Sequence, residues 1–245
     1  MLRVTRNGLA AVGALTLATL LAACGAKAPP PPPPPPPVVV VVPPAPMPPN
    51  GASPNLAVPP ADAMGLRYSV NRNITPAQTV WNLRSAYNVA ALNCHAPQHA
   101  DILVNYREFL KTHAKPLTSY NAKVDAEFKK KYGARFVAPR EKYMTEVYNH
   151  FALPPTMSDF CTAVLAVSRD AKTVPAKDLE AFAARSLPSV EVVFDDFYRR
   201  YDKYRVDLAA WQAQYGTRVA PAATTGSAAA INGGSAAPTV VIPAN

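Results

Sequence analysis

Residues 91–100 read ALNCHAPQHA. Cys94 adjoins His95, and His99 follows four positions after His95. These side chains suit three kinds of chemistry. Histidines spaced i,i+4 on a helix share a face and can ligate zinc. A cysteine beside a histidine can serve as a redox thiol. In an oxidising compartment the same cysteine becomes half of a disulfide. Pro97 stands between the histidines and disfavours a continuous helix there, and the glutamate of an HExxH pattern is missing. The stretch therefore reads as the last turn of one helix, Ala91 to Cys94, followed by a polar turn, His95 to Ala100. No metal site is expected; only a surface metal contact is left open to the histidines.

The choice between thiol and disulfide rests on the compartment. The chain opens MLRVTRNGLAAVGALTLATLLAAC. Arg3 and Arg6 give a basic start. Leu9 to Leu21 is an apolar run of signal-peptide length, short for a membrane span. It ends in Leu21-Ala22-Ala23-Cys24, which resembles the lipobox of bacterial lipoproteins. The resemblance covers residues 1–24 only. It implies cleavage before Cys24 and diacylglyceration of the Cys24 thiol. Two or three acyl chains make a stable anchor, since each buried methylene contributes about 0.8 kcal/mol. Gly25 stands where an inner-membrane retention signal would carry Asp, which favours the outer membrane with the domain in the periplasm; the inner membrane or cell surface stays open.

With Cys24 taken by lipid, the three cysteines leave one pair, Cys94 and Cys161. Each falls on the apolar stripe of an expected helix. An exported protein keeps its disulfides, so a helix-to-helix bond is expected.

The net charge is +9, and removal of Arg3 and Arg6 with the leader leaves +7. A solvated basic surface near anionic lipid or cell-wall polymer suits this excess. Nucleic acid is not an expected partner in that compartment.

Four stretches follow: a leader over 1–23, a lipidated cysteine and Pro-rich linker over 24–64, a helical domain over 65–216, and a low-complexity tail over 217–245. Proline fixes φ and removes donors, so the linker should be extended or disordered. As a semi-rigid stalk of some 35 residues it would reach on the order of 100 Å. Flanking prolines should keep the Val38–Val42 run from pairing as a strand. A PxxP ligand for a partner is the alternative use. In the tail, Thr239 to Pro243 could add as a strand to a partner's sheet.

The helical domain carries three- and four-residue apolar spacing nearly throughout. Thr75-Pro76-Ala77-Gln78 is a capping box with proline at the first helical position. Further helices are expected to begin at Pro116 and after Pro139, and Thr156 to Asp159 resembles a second capping box. Pro175 and Pro188 should each break the chain, leaving a short helix between them. The last helix carries Val190, Phe194, Phe197, Tyr201, Tyr204, Leu208, Trp211 and Tyr215, an alternating four–three seam stopped by Gly216. The expected fold is an all-α bundle of about six helices ending in a long C-terminal helix. The seam could serve the bundle or a homodimer.

Enzyme motifs are sparse. G-x-S-x-G, a P-loop and C-x-x-C-H are missing. Glu141 and Glu146 are candidate acids for sugar hydrolysis, but five residues apart they share a face poorly. His113 and His150 read as packing or helix-terminal residues. Tyr198, Arg199 and Arg200 are candidates for a binding surface, since tyrosine and arginine interleave there; i,i+4 pairs Asp195–Arg199 and Asp196–Arg200 give a salt-bridged outer face instead. Tyr198 stands off the seam and is expected at the surface. No cofactor is expected. The favoured function is a non-enzymatic, lipid-anchored structural, scaffolding or binding protein of the cell envelope, with a cell-wall or envelope-protein partner; the alternative is a cell-wall enzyme or an inhibitor of one.

Overall fold

A computed structural model describes residues 39–217 and 239–241. The leader, Cys24, the linker up to residue 38 and most of the tail lie outside the described residues. Contacts divide the chain into a unit of residues 41–240 and a second of 1–40 with 241–245.

The fold is all-α. Six α-helices run among the described residues: α1 Pro76–Asn93, α2 Asp101–Thr112, α3 Ala114–Tyr132, α4 Val137–Phe151, α5 Met157–Ala171 and α6 Leu179–Tyr215. Two three-residue strands, β1 Val39–Val41 and β2 Thr239–Val241, form one two-stranded sheet. The valine run therefore pairs despite its flanking prolines, with a β-branched run of the same chain. Among the described residues no single helix is long and apolar enough to cross a membrane.

Helix α1 is the axis, touching each of the other five. Its buried residues run almost all round it: Val80, Trp81, Leu83, Ala86, Tyr87 and Ala90 share the core with buried Asn82 and Ser85. A helix enclosed on every side needs this breadth of small and apolar residues. Its start is the expected capping box: Thr75 accepts from the Gln78 amide, and the Gln78 side chain accepts from the Thr75 amide.

The prolines behave differently from expectation. Pro116 and Pro139 each occupy the third position of their helix, because the first four amides of a helix have no partner to lose. Pro188 does not end a helix; it lies inside the 37-residue α6. Ala184 and Pro188 are both exposed, so the carbonyl that loses its amide faces water, while Leu187 and Val190 keep the apolar stripe buried. The Thr156 box fails as well. Thr156 is helical in conformation and donates its hydroxyl to the Leu153 carbonyl.

A larger correction concerns the linker. Its second half is a strap fastened to α6. The Trp211 indole donates to the Pro43 carbonyl at 2.8 Å. The Tyr201 hydroxyl reaches the Ser53 and Pro54 carbonyls at 2.8 Å each and accepts from the Leu56 amide at 3.0 Å. Ala52 joins the core, and Leu56 and Val58 pack against it. The physical reason is supply and demand of hydrogen bonds. A proline-rich backbone offers carbonyls without matching amides, and the seam side chains of α6 carry donors at their tips. The folded body thus begins near residue 43 rather than at 65.

Candidate functional site

Cys94 and Cys161 are joined, with Cα atoms 5.6 Å apart. The bond ties the end of α1 to α5. In the following turn His95 is exposed, whereas His99 is buried and lies 3.4 Å from the Thr162 hydroxyl. The two histidines face different surroundings.

The candidate surface at Tyr198, Arg199 and Arg200 does not hold together. Tyr198 is buried beneath the strap, 8% exposed, with the Arg67 guanidinium over its ring at 5.8 Å. Burial pushes its hydroxyl above the ordinary tyrosine range. The expected i,i+4 pairs are replaced as well. Asp195 takes both its bonds from Arg72, Asp196 pairs with Arg199 at 2.8 Å, and Arg200 reaches Asp159 and Asn50. Arg200 is a clasp for the strap, since Asn50 in turn donates to the Pro155 carbonyl. Arg199 and Arg200 both remain exposed, but only Arg199 is not tied to the strap. Glu141 and Glu146 part ways too: Glu141 pairs with Arg140 at 2.7 Å, and Glu146 borders a hollow described below.

The chemistry-bearing cluster of the molecule is centred on Glu191. This carboxylate is 7% exposed. It accepts from Ser69 Oγ at 2.7 Å, from Asn71 Nδ2 at 2.6 Å and from His150 Nε2 at 2.8 Å. Burial pushes its pKa up, but the His150 ring, then Ser69 and Asn71, outweigh that and hold it below the ordinary carboxylate value. The network continues outward. Asn82 donates to the Asn71 side-chain oxygen at 2.7 Å, and the Tyr143 hydroxyl donates to the Asn82 oxygen at 2.9 Å. Four elements meet there: the strap end, α1, α4 and α6.

Two hollows flank this network. One, of about 470 Å³, is bordered by Arg72, Ile74, Leu187, Pro188, Glu191 and Asp195. The other, of about 480 Å³, lies where the start of α1 meets α3 and α4. Its aromatic wall is a ladder of rings. Tyr132 stacks on Phe128 at 5.8 Å, and Phe128 meets Tyr143 at 5.5 Å. The exposed ring of Tyr68 closes the rim. Glu127, Lys131, Lys142 and Glu146 supply charge around it. The Glu127 carboxylate accepts from the Thr75 hydroxyl at 3.0 Å, and Lys142 faces Glu146 at 3.9 Å.

Sequence reasoning missed Glu191, Asn71 and Asn82, and gave His150 a packing or helix-terminal role. One signal was available. Glu191 sits one step from Val190 and three from Phe194, both on the apolar seam. A carboxylate on the shoulder of a buried stripe requires donors from elsewhere in the fold.

Compared with known proteins, the chain matches no family model, no curated sequence and no solved structure.

Proposed function

We propose that this chain is a non-enzymatic, lipid-anchored binding module of the bacterial cell envelope. The anchor is the acylated Cys24, as the lipobox-like run Leu21 to Cys24 implies, with the outer membrane as the favoured site. The partner is a cell-wall polymer or an envelope protein.

One observation carries the binding role. Three of the four carboxylates that border the two hollows are engaged by donors of the fold itself: Glu191 by three side chains, Asp195 by Arg72 and Glu127 by Thr75. Of these, Glu191 is held below the ordinary carboxylate range, because the His150 ring, Ser69 and Asn71 outweigh its burial. Carboxylates with donors already in place serve as oriented acceptors. The concave surfaces therefore suit recognition.

Cell fractionation tests the anchor. Cys24→Ala should move the protein from the membrane to the soluble envelope fraction, whereas retention in the membrane contradicts the reading.

A further inference from the structure

The aromatic hollow between α1, α3 and α4 has a shape and polarity that name a ligand class. We infer that it binds a neutral oligosaccharide, through the rings of Tyr68 and Tyr132 and the polar groups around them. The inference rests on the envelope-module reading above and deepens it.

Three observations carry it. First, two large aromatic rings stand exposed at one hollow: Tyr68 is 67% and Tyr132 is 41% exposed. Leaving such surface in water is unfavourable, and a rimmed aromatic patch marks a contact site.

Second, the loop that carries Tyr68 and the ring of Tyr132 are held in place before any ligand arrives. The Tyr68 amide donates to the Pro60 carbonyl at 2.9 Å, within a tight loop closed by the antiparallel bridge of Ala61 with Arg67. Asp62 Oδ1 pins that loop by accepting from the Met64 and Leu66 amides at 2.9 Å each. Gly65, at φ +79°, supplies the turn that an L side chain would resist. Arg67, next in sequence, bonds the Pro59 carbonyl and the Asp202 carboxylate. Tyr132 is braced by its stack on Phe128, and Phe128 by Tyr143, whose hydroxyl is fixed through Asn82 and Asn71 to Glu191. Rings fixed in advance lose little entropy on binding.

Third, the polar groups are mixed and their charges cancel. Lys131 and Lys142 offset Glu127 and Glu146, and Gln78 and Thr75 add uncharged polar groups. An anionic polymer would meet two carboxylates, and a cationic one two ammonium groups. A sugar hydroxyl or acetamido group both donates and accepts, so it pairs with either kind of neighbour. The apolar C–H face of a pyranose ring lies flat on an aromatic ring. Two exposed rings beside mixed donors and acceptors therefore match a neutral glycan better than a peptide strand, which needs an unpaired backbone edge or deep side-chain pockets.

The test uses the full chain in detergent and isothermal titration with a tetramer of β-1,4-linked N-acetylglucosamine. The expected result is saturable binding, weakened about fivefold to tenfold by Tyr68→Ala and by Tyr132→Ala, as loss of one aromatic contact implies. Both residues are exposed, so the thermal midpoint should stay within a degree or two of the parent, which separates binding from folding. Val206→Ala, on an exposed face of α6 (Val206 is 69% exposed), should bind as the parent does. An absence of binding, or binding unchanged in both tyrosine variants, overturns the inference. So does saturation by a nonaproline peptide matching residues 29–37 in place of the sugar. If the hollow fails while Cys24→Ala still frees the protein from membranes, the glycan assignment falls and the anchored-module reading stands.

Discussion

The two halves of α6 carry the same kind of apolar seam and bury it by different means. From Leu179 to Phe194 the helix lies against other helices, and its Phe194 meets Phe151, Phe160 and the His150 ring. From Tyr201 onward the Tyr201 hydroxyl and the Trp211 indole take up the carbonyls of a proline-rich strap. The first half is covered by interlocking side chains. The second is covered by backbone, with hydrogen bonds at the rim. A proline-rich segment thus does what another helix would do, because its missing amides leave carbonyls for the helix to satisfy. This cover also gives the seam from Phe194 to Tyr204 an intramolecular role.

The largest difference should come from truncating the helix-covered half. Phe194 is 1% exposed among aromatic rings, so Phe194→Ala should cost about 3–5 kcal/mol in urea unfolding. A loss below about 1 kcal/mol would show that this half is loosely packed.

Acid should act on the helical body next. His113 is fully buried, neither ring nitrogen has a hydrogen-bond partner, and burial lowers its pKa from the ordinary 6.5. The unfolded chain therefore binds a proton there first, and stability falls as pH drops below about 6.5. Glu191 is held below its ordinary 4.5, so its contribution is present above that value and is lost as pH falls through the region beneath it. Thermal midpoints should drop in two stages, and Glu191→Gln should flatten the lower one. A midpoint that does not fall between pH 7 and about pH 5 contradicts the His113 assignment, and one that does not fall further below about pH 4.5 contradicts that of Glu191.

The strap half should give the smallest and most local effect. Tyr201→Phe removes the hydroxyl shared by Ser53, Pro54 and Leu56, and should cost about 1 kcal/mol. Hydrogen exchange should quicken at the Leu56 amide and leave α1 unchanged. Faster exchange throughout the bundle would show that strap and helices unfold as one unit.

These contrasts follow what could be read from the residues. The capping box at Thr75, the joining of Cys94 to Cys161 and the spacing from Val190 to Tyr204 are local or pairwise patterns, and each is present in the fold. The strap was not legible because composition reports that prolines avoid helices, not where their carbonyls find donors. Tyr198 was misplaced for the same reason: its cover, Arg67, arrives from 131 positions away in the chain. Pro188 reads as a break in any local rule, yet a helix with one exposed orphan carbonyl continues when its buried stripe is intact. Glu191 is a single residue in the sequence; its meaning lies in Ser69, Asn71 and His150, which only the packing of α4 and the strap against α6 brings together.

The central claim is recognition without turnover. Full-length protein incubated with isolated cell-wall sacculi, then sedimented, gives both readouts in one tube. The account predicts that the protein pellets with the sacculi and that no reducing ends or stem peptides appear in the supernatant. Release of either fragment would contradict it.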